Sequence, residues 1–327
     1  MFYYLARRLA NYALLLFIAV SLAYFIASNA LDPKAAYDLT DPTRDWDALE
    51  RMFIAYNISD TVPVWDRYTI WLGRIFTEWD WGMTPTGSSV NSIISIRVWV
   101  SVRLIIIGSI FGMVGGVAVG AWTATKQYSK TDRIISILAL VIISTPVIVL
   151  ANLLQIGATQ FNVATGTQFF EFTGETGTVG NYFGAALVDR MQHLLLPTIS
   201  MSLTGIASYS RYQRNLMLDT LGADYVRTAR AKGLVKSKAV TRHALRTSLV
   251  PMATFFAFAV ATLFLGATVT EQVFGWHGMG IFGVSSIRGQ DINGTTAVVA
   301  FSGACTLAGA LLSDLLVVVI DPRVRVS

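Results

Sequence analysis

The apolar residues of this chain neither alternate with polar ones, as in a half-buried strand, nor form the one-sided stripe of a soluble amphipathic helix. They fill long runs in which every face of a helix would be apolar. Six runs stand out, at approximately residues 9–30, 104–124, 134–158, 194–212, 249–270 and 297–320. Each is near the ~20 residues that a helix rising about 1.5 Å per residue needs to cross about 30 Å of hydrocarbon. The pattern predicts an all-α membrane protein with six transmembrane helices. The first run follows Arg7 and Arg8. It is longer than the roughly 7–15 apolar residues of a cleavable signal peptide, so it reads as a retained first span.

Composition agrees. The 327 residues are 54% hydrophobic and only 14% charged, against roughly 25% charged in soluble domains. The net charge is +5, but the basic residues make no nucleic-acid stripe. They lie between the apolar runs, where charge sets orientation. Arg7 and Arg8 precede the first run, and Lys126, Lys130 and Arg133 follow the second. Arg211, Arg214, Arg227, Arg230, Lys232, Lys236, Lys238, Arg242 and Arg246 crowd the segment after the fourth, and Arg323 and Arg325 follow the last. With six spans all of these fall on one side, opposite an acidic segment that holds Asp32, Asp38, Asp41, Asp45, Asp47 and Glu50. The positive-inside rule then predicts a multi-pass membrane protein with both termini in the cytoplasm.

The expected organisation is an N-terminus and first helix over 1–30 and a small external domain over 31–98, carrying Trp46, Trp65, Trp71, Trp79 and Trp81. A core domain over 99–327 holds five helices and a cytoplasmic loop at 213–248. A second external segment, 161–190, is rich in Gly, Thr and Phe. No G-x-x-x-x-G-K-[ST] loop is present, so this type of nucleotide site is excluded. Three scattered histidines and a single cysteine, Cys305, inside an apolar run give no catalytic residue, disulfide or metal motif. A transport role without bound cofactor or metal is expected, and an enzyme is not.

The most informative stretch is the basic loop from Asp219 to Pro251. Gly222 breaks the preceding helix, and Asp224 suits the positively polarised first turn of a new one. Gly233 followed by Leu234 is a helix stop, with glycine in the left-handed position and an apolar residue next. At 100° per residue Tyr225, Val226, Ala229 and Gly233 share a small, uncharged face, opposite Arg227 and Arg230. Such a helix can dock into a groove on a partner or lie on the membrane as a basic anchor.

The order Ala223-Asp224-Tyr225, then Ala229-x-x-x-Gly233, then Leu249-x-Pro251 resembles the signature loop of permeases in binding-protein-dependent ABC importers. The string Asp224-Tyr-Val-Arg-Thr-Ala-Arg-Ala-Lys-Gly-Leu234, with Arg242-His-Ala-Leu-Arg246, is similar to the dipeptide/oligopeptide/nickel branch. So are Leu194-Leu-Leu-Pro-Thr-Ile-Ser200, Glu271-Gln-Val-Phe-Gly-Trp-His-Gly-Met-Gly280 and Asp321-Pro-Arg-Val-Arg325. Trp99 and Arg103 depart from that pattern. The resemblance implies the type I ABC importer permease fold in a bacterial or archaeal plasma membrane. It also implies a second homologous permease subunit, two ATPase subunits (or one fused) that carry ATP and Mg, an external substrate-binding protein, and the lipid bilayer as surroundings. It makes 224–233 the coupling helix, with Asp224, Tyr225, Ala229, Arg230 and Gly233 as its contacts to an ATPase. Peptides are the commonest cargo of the branch; nickel or oligosaccharide is the alternative. A secondary transporter driven by an ion gradient is a separate reading, against which stands the lack of any visible internal repeat.

Other features carry structural readings first. Gly108, Gly112, Gly116 and Gly120 recur every four residues, a ladder that lets helix backbones approach closely. Asp314, inside the last run, reads as a partner for Arg211 or Arg214. Pro146 predicts a kink whose freed backbone lines the pathway. Met201, Phe255 and Phe258 are candidates for an apolar gate, against the plainer reading of packing residues.

Overall fold

A computed structural model of the chain describes residues 2–38, 40, 44–177 and 184–320. Among these residues all extended regular structure is helical, and one isolated antiparallel bridge joins Met83 and Ser89. The helices are α1 Phe2–Ala30, α2 Trp46–Ala55, α3 Val64–Glu78, α4 Val90–Thr125, α5 Lys130–Ser144, α6 Val147–Thr165, α7 Ala185–Leu221 and α8 Asp224–Ala231. The short α9, Lys236–Ala239, runs through a wider π turn, Val240–Leu245, into α10 Arg246–Phe274; α11 Met279–Arg288 and α12 Ile292–Ile320 follow.

Each of the six apolar runs is helical, with two departures from expectation. The second run starts far into α4, which already begins at Val90. The third run is broken rather than kinked. α5 stops at Ser144, Thr145 and Pro146 take extended backbone with ψ of 126° and 138°, and α6 starts at Val147. The proline ring disfavours helical geometry in the residue before it, which ends α5 at that point. By length and composition, Ala6–Ala30, Val90–Thr125, Val147–Thr165 and Ile292–Val318 suffice to cross a membrane. α7 and α10 are also long, 37 and 29 residues.

The chain divides into two compact units, 1–102 with 277–305, and 103–276 with 306–327. In the first, α3 packs on α1 through aromatic rings. Tyr24 lies 4.7 Å from Trp71 and Phe25 4.7 Å from Tyr68, centroid to centroid, and the hydroxyls of Ser21 and Tyr68 are 2.7 Å apart. Trp71 is therefore core, whereas Trp65 and Trp79 are mostly exposed, the disposition of interfacial tryptophans. Lys34 ties the segment after α1 to Asp60 and Glu50 at 2.7 and 3.2 Å. The Met279 amide donates to Ser101 Oγ at 2.7 Å and the Asn293 side chain to the Met83 carbonyl at 2.9 Å, so α11 and the start of α12 are bound to this unit. Leu14, Leu15, Leu22 and Ile26 on α1 are over half exposed. Water would oppose so continuous an apolar face, and lipid accommodates it.

In the second unit α7 is the central element, packed on α5, α6 and α10. It also receives the glycine ladder of α4. A Cβ on Gly108 would sit 3.1 Å from Met201 Cβ, and one on Gly112 3.3 Å from Gly205 Cα. One on Gly116 would collide with Tyr209 Cβ, and one on Gly120 with the Ser210 carbonyl. Gly205 answers from α7, where an added Cβ would meet Gly112 Cα at 3.0 Å. The ladder is thus a packing face within this chain. Met201 is buried in that seam beside Leu104, Ile105 and Ala267. Ser202 donates across this seam to the Gly108 carbonyl at 3.3 Å, and the buried Gln213 ties α7 to α10 by donating to Ser248 at 2.7 Å.

At the α8 end of α7, Arg214 makes a two-pronged bond to Asp132 in the first turn of α5, at 2.6 and 2.8 Å. The Tyr128 amide adds a third donor at 3.0 Å. Arg214, expected as one of two partners for Asp314, is engaged by Asp132 instead. Hydrogen bonding from the Arg214 guanidinium holds the Asp132 carboxyl below the usual carboxylate range.

Two tests follow from this packing. Gly116→Leu should destabilise the protein by about 1–3 kcal/mol or more, because the overpacked seam has no slack. Gly157→Ala, at a site with nothing within 4 Å of the added atom, should leave thermal unfolding in detergent unchanged. Asp132→Asn should cost about 1–3 kcal/mol by stranding the Arg214 charge, and Arg214→Gln in the same background should add little. A carboxylate whose folded pKa is lowered contributes stability above its unfolded pKa and loses it as pH falls through the folded value. The Asp132→Asn defect should accordingly shrink at low pH in unfolding measurements.

Candidate functional site

The basic loop predicted at 213–248 folds as the end of α7, then α8, then α9 and the π turn that leads into α10. Gly222 closes α7 with φ −81°, and Ala223 is extended before Asp224 opens α8. The helix stops as its sequence predicts. Gly233 takes φ +92°, its amide donates to the Arg230 carbonyl at 3.0 Å, and the Leu234 amide donates to the Ala229 carbonyl at 3.1 Å. This pair of bonds is the Schellman motif, and it needs a residue that accepts positive φ at no steric cost.

One side of α8 is committed to this chain. Val226 is buried with Ala124, Met217, Ala239 and Ala244, and Leu218, Leu221, Leu234 and Leu245 close around them. The face expected to hold Tyr225, Val226, Ala229 and Gly233 together is therefore split. Val226 points inward and Ala229 is half-buried, whereas Tyr225 is 44% exposed and Gly233 is open. Asp224, Arg227 and Arg230 are also on the outside. Arg227 and Asp224 lie 3.9 Å apart, both well exposed, so their attraction is weak. Arg227, Arg230, Ala231, Gly233, Leu234 and Lys236 line an open depression of about 470 Å³ beside the helix end. Its three cations suit an acidic partner surface.

The candidate pathway residues do not gather at one place. Pro146 is exposed at the start of α6. Met201 belongs to the α4–α7 seam. Phe255 stacks on Tyr212 with centroids 4.5 Å apart. The side chain of Phe258 lies outside the described residues, as does the whole Asp321–Arg325 motif.

Two features escaped the sequence. The Asp132–Arg214 clamp joins residues 82 positions apart, and a lone acid among basic residues was its only trace. At the other end of α7, Asp189 and His193 come together with Glu171 from the preceding segment. The i, i+4 spacing of the first two was visible, but not the third.

Comparison with known proteins places this architecture. The family of binding-protein-dependent transport system inner membrane components matches residues 116–326. The oligopeptide transport system permease protein OppB of Mycobacterium tuberculosis is 46% identical over 326 residues, 99% of each chain. The dipeptide transport system permease protein DppB of Lactococcus lactis is 30% identical over 98% of this chain and 99% of its own. AppB of Bacillus subtilis, an oligopeptide transport system permease protein, is 28% identical over 99% of both. The matched region covers α7, α8 and α10, and the long apolar helices suit the membrane it implies. The chain is an integral membrane protein that belongs to the binding-protein-dependent transport system inner membrane component family.

Proposed function

We propose that this chain is one of two homologous permease subunits forming the pore of an ATP-driven importer of di- and oligopeptides. Family membership displaces the gradient-driven reading. The names of the relatives, for oligopeptide and dipeptide transport, favour peptide over nickel or oligosaccharide. ATP and Mg belong to partner ATPases, and an external binding protein delivers the cargo.

The observation that carries this reading is α8. It is a short helix with a sharp glycine stop, anchored by Val226 to the end of α7 and to the α9 and π-turn residues that lead into α10, and presenting Tyr225, Arg227 and Arg230 outward. A helix built in this way transmits force. ATPase closure displaces α8 through its outer face, and Val226, Met217 and Leu221 pass that displacement to α7. Closely packed interfaces switch between discrete arrangements rather than deform smoothly. Ala229 and Gly233 keep the helix small where the partner groove closes on it, and Arg230 meets an acidic group there.

Length supports a spanning α7, and the charge of its ends the orientation. Asp189 and Arg214 are separated by about 37 Å of helix rise along α7, more than the roughly 30 Å hydrocarbon thickness. The basic α8 end is then cytoplasmic and the Asp189 end external, in keeping with six spans and both termini inside. The segment 31–98 is external, and its exposed tryptophans lie at the lipid headgroups. Pro146 and Phe255 remain candidates for the pathway, with Phe258, while the burial of Met201 favours a packing role.

Reconstitution of the chain with its partner subunits in liposomes tests the proposal. The native complex should take up labelled oligopeptide with ATP and its binding protein. Gly233→Val strains the left-handed residue and crowds the helix end. It should lower uptake at least about tenfold while leaving ATP hydrolysis within about twofold. Equal uptake by a correctly inserted Gly233→Val complex would remove α8 from the coupling role.

A further inference from the structure

At the end of α7 remote from α8, three side chains converge that the transport mechanism does not use. Asp189 and His193 project from successive turns of α7, and Glu171 comes from the segment between α6 and α7. One donor atom from each lies within 4.8 Å of the others. The side chains of His193 and Asp189 are 3% and 7% exposed, and that of Glu171 28%.

The hydrogen bonding fixes the imidazole. Nδ1 lies 2.8 Å from the Asp189 main-chain oxygen, which can only accept, so Nδ1 carries a proton and donates. In the neutral ring Nε2 then presents a lone pair. It faces Glu171 Oε2 at 3.6 Å, another acceptor. The Asp189 carboxylate, 3.5 Å from Nδ1, accepts from the Gly177 amide at 3.0 and 3.2 Å. Nε2 and Glu171 Oε2 are thus two acceptors facing one another at 3.6 Å, an arrangement that calls for a cation between them, with Asp189 in the same 4.8 Å cluster.

We propose that Glu171, Asp189 and His193 bind a divalent first-row transition ion, such as zinc, that clamps the segment 166–177 onto α7. An imidazole with two carboxylates is a donor set for zinc or manganese; the imidazole disfavours calcium and magnesium. Ligands at 2.0–2.2 Å in a tetrahedron are about 3.3 Å apart, so the 3.6 Å gap between His193 and Glu171 needs a small shift, and the 4.8 Å bound on the whole cluster limits the closure to about 1.5 Å. A ligating histidine whose other ring nitrogen donates to a main-chain carbonyl is oriented as metal sites require. Asp189 is oriented by Gly177, at a point where no larger residue fits: a Cβ there would lie 2.7 Å from Glu171 Oε2 and 3.0 Å from His193 Cε1. A cavity of about 570 Å³ lined by Glu171, His193, Thr159, Asn162 and Phe172 gives ion and water access. The clamped segment also reaches α10, since the Gly174 amide donates to the Phe274 carbonyl at 2.8 Å. The ion therefore ties the ends of α7 and α10 together through one strap.

The test uses the full chain, assembled with its partner subunits in nanodiscs and dialysed against zinc chloride or manganese chloride. Mass spectrometry of metals should find one tightly held ion per chain, and titration calorimetry should give its affinity. His193→Gln and, as a milder change at a partly exposed position, Glu171→Gln should each weaken binding at least about tenfold. Hydrogen exchange over 166–177 should slow on adding zinc to the native protein and not to either variant. The inference is overturned if zinc or manganese binds the native protein and both variants equally, or binds none of them. It is equally overturned if protection of 166–177 follows pH alone without regard to metal, in which case a proton serves as the cation.

Discussion

The close approach of α4 to α7 is the contact on which the second unit rests. In lipid there is little hydrophobic force to bring two apolar helices together, because the surroundings are as apolar as the helices. Contact area must then come from backbone proximity, and only residues without bulk permit it. Gly108, Gly112, Gly116 and Gly120 supply a smooth groove, and Met201, Gly205, Tyr209 and Gln213 fill it. With α7 fixed in this way, its other faces receive α5, α6 and α10. Two polar ties fasten these faces. Gln213 meets Ser248, and Asp132 meets Arg214 with a main-chain amide as third donor.

A helix held so firmly can carry a displacement from one of its ends to the other. At one end it bears α8, whose buried Val226 packs on α7, α9 and the π turn before α10, so that α8 is no loose appendage. At the other end it bears Asp189 and His193, strapped to the segment before α7 and through Gly174 to the end of α10. The chain thus contributes a pore wall and a lever. On the proposed reading, the energy source and the first selection of cargo belong to partner ATPases and a binding protein.

Much of this was readable from local chemistry. The apolar runs became helices because their length and lack of charge leave a membrane chain few other ways to satisfy its backbone. The glycine ladder declared a packing face by its four-residue period, and Gly233-Leu234 declared a helix stop. What failed were statements requiring the third dimension. A helical wheel put Tyr225 beside Val226, yet which of the two turns inward was decided by Met217 and Ala239. Pro146 was read as a kink, but with Thr145 also extended the helix ends altogether. The partner of Arg214 lay in a different helix from the expected one, since charge pattern ranks candidates without locating them. For Met201, a gate candidate weighed against a plainer packing reading, the position opposite Gly108 favours packing in the seam.

The central claim is that the outer face of α8 is the surface through which ATP-driven motion enters this chain. Site-specific photo-crosslinking tests it most directly, with a benzophenone amino acid at Tyr225, 44% exposed, in the assembled transporter, and a control at Val163, 78% exposed near the end of α6. The account predicts that the probe at position 225 captures an ATPase subunit, that the yield changes between nucleotide-free and ATP-bound states, and that the probe at position 163 captures none. Capture of lipid alone at position 225, or capture of the ATPase equally from both positions, would contradict it.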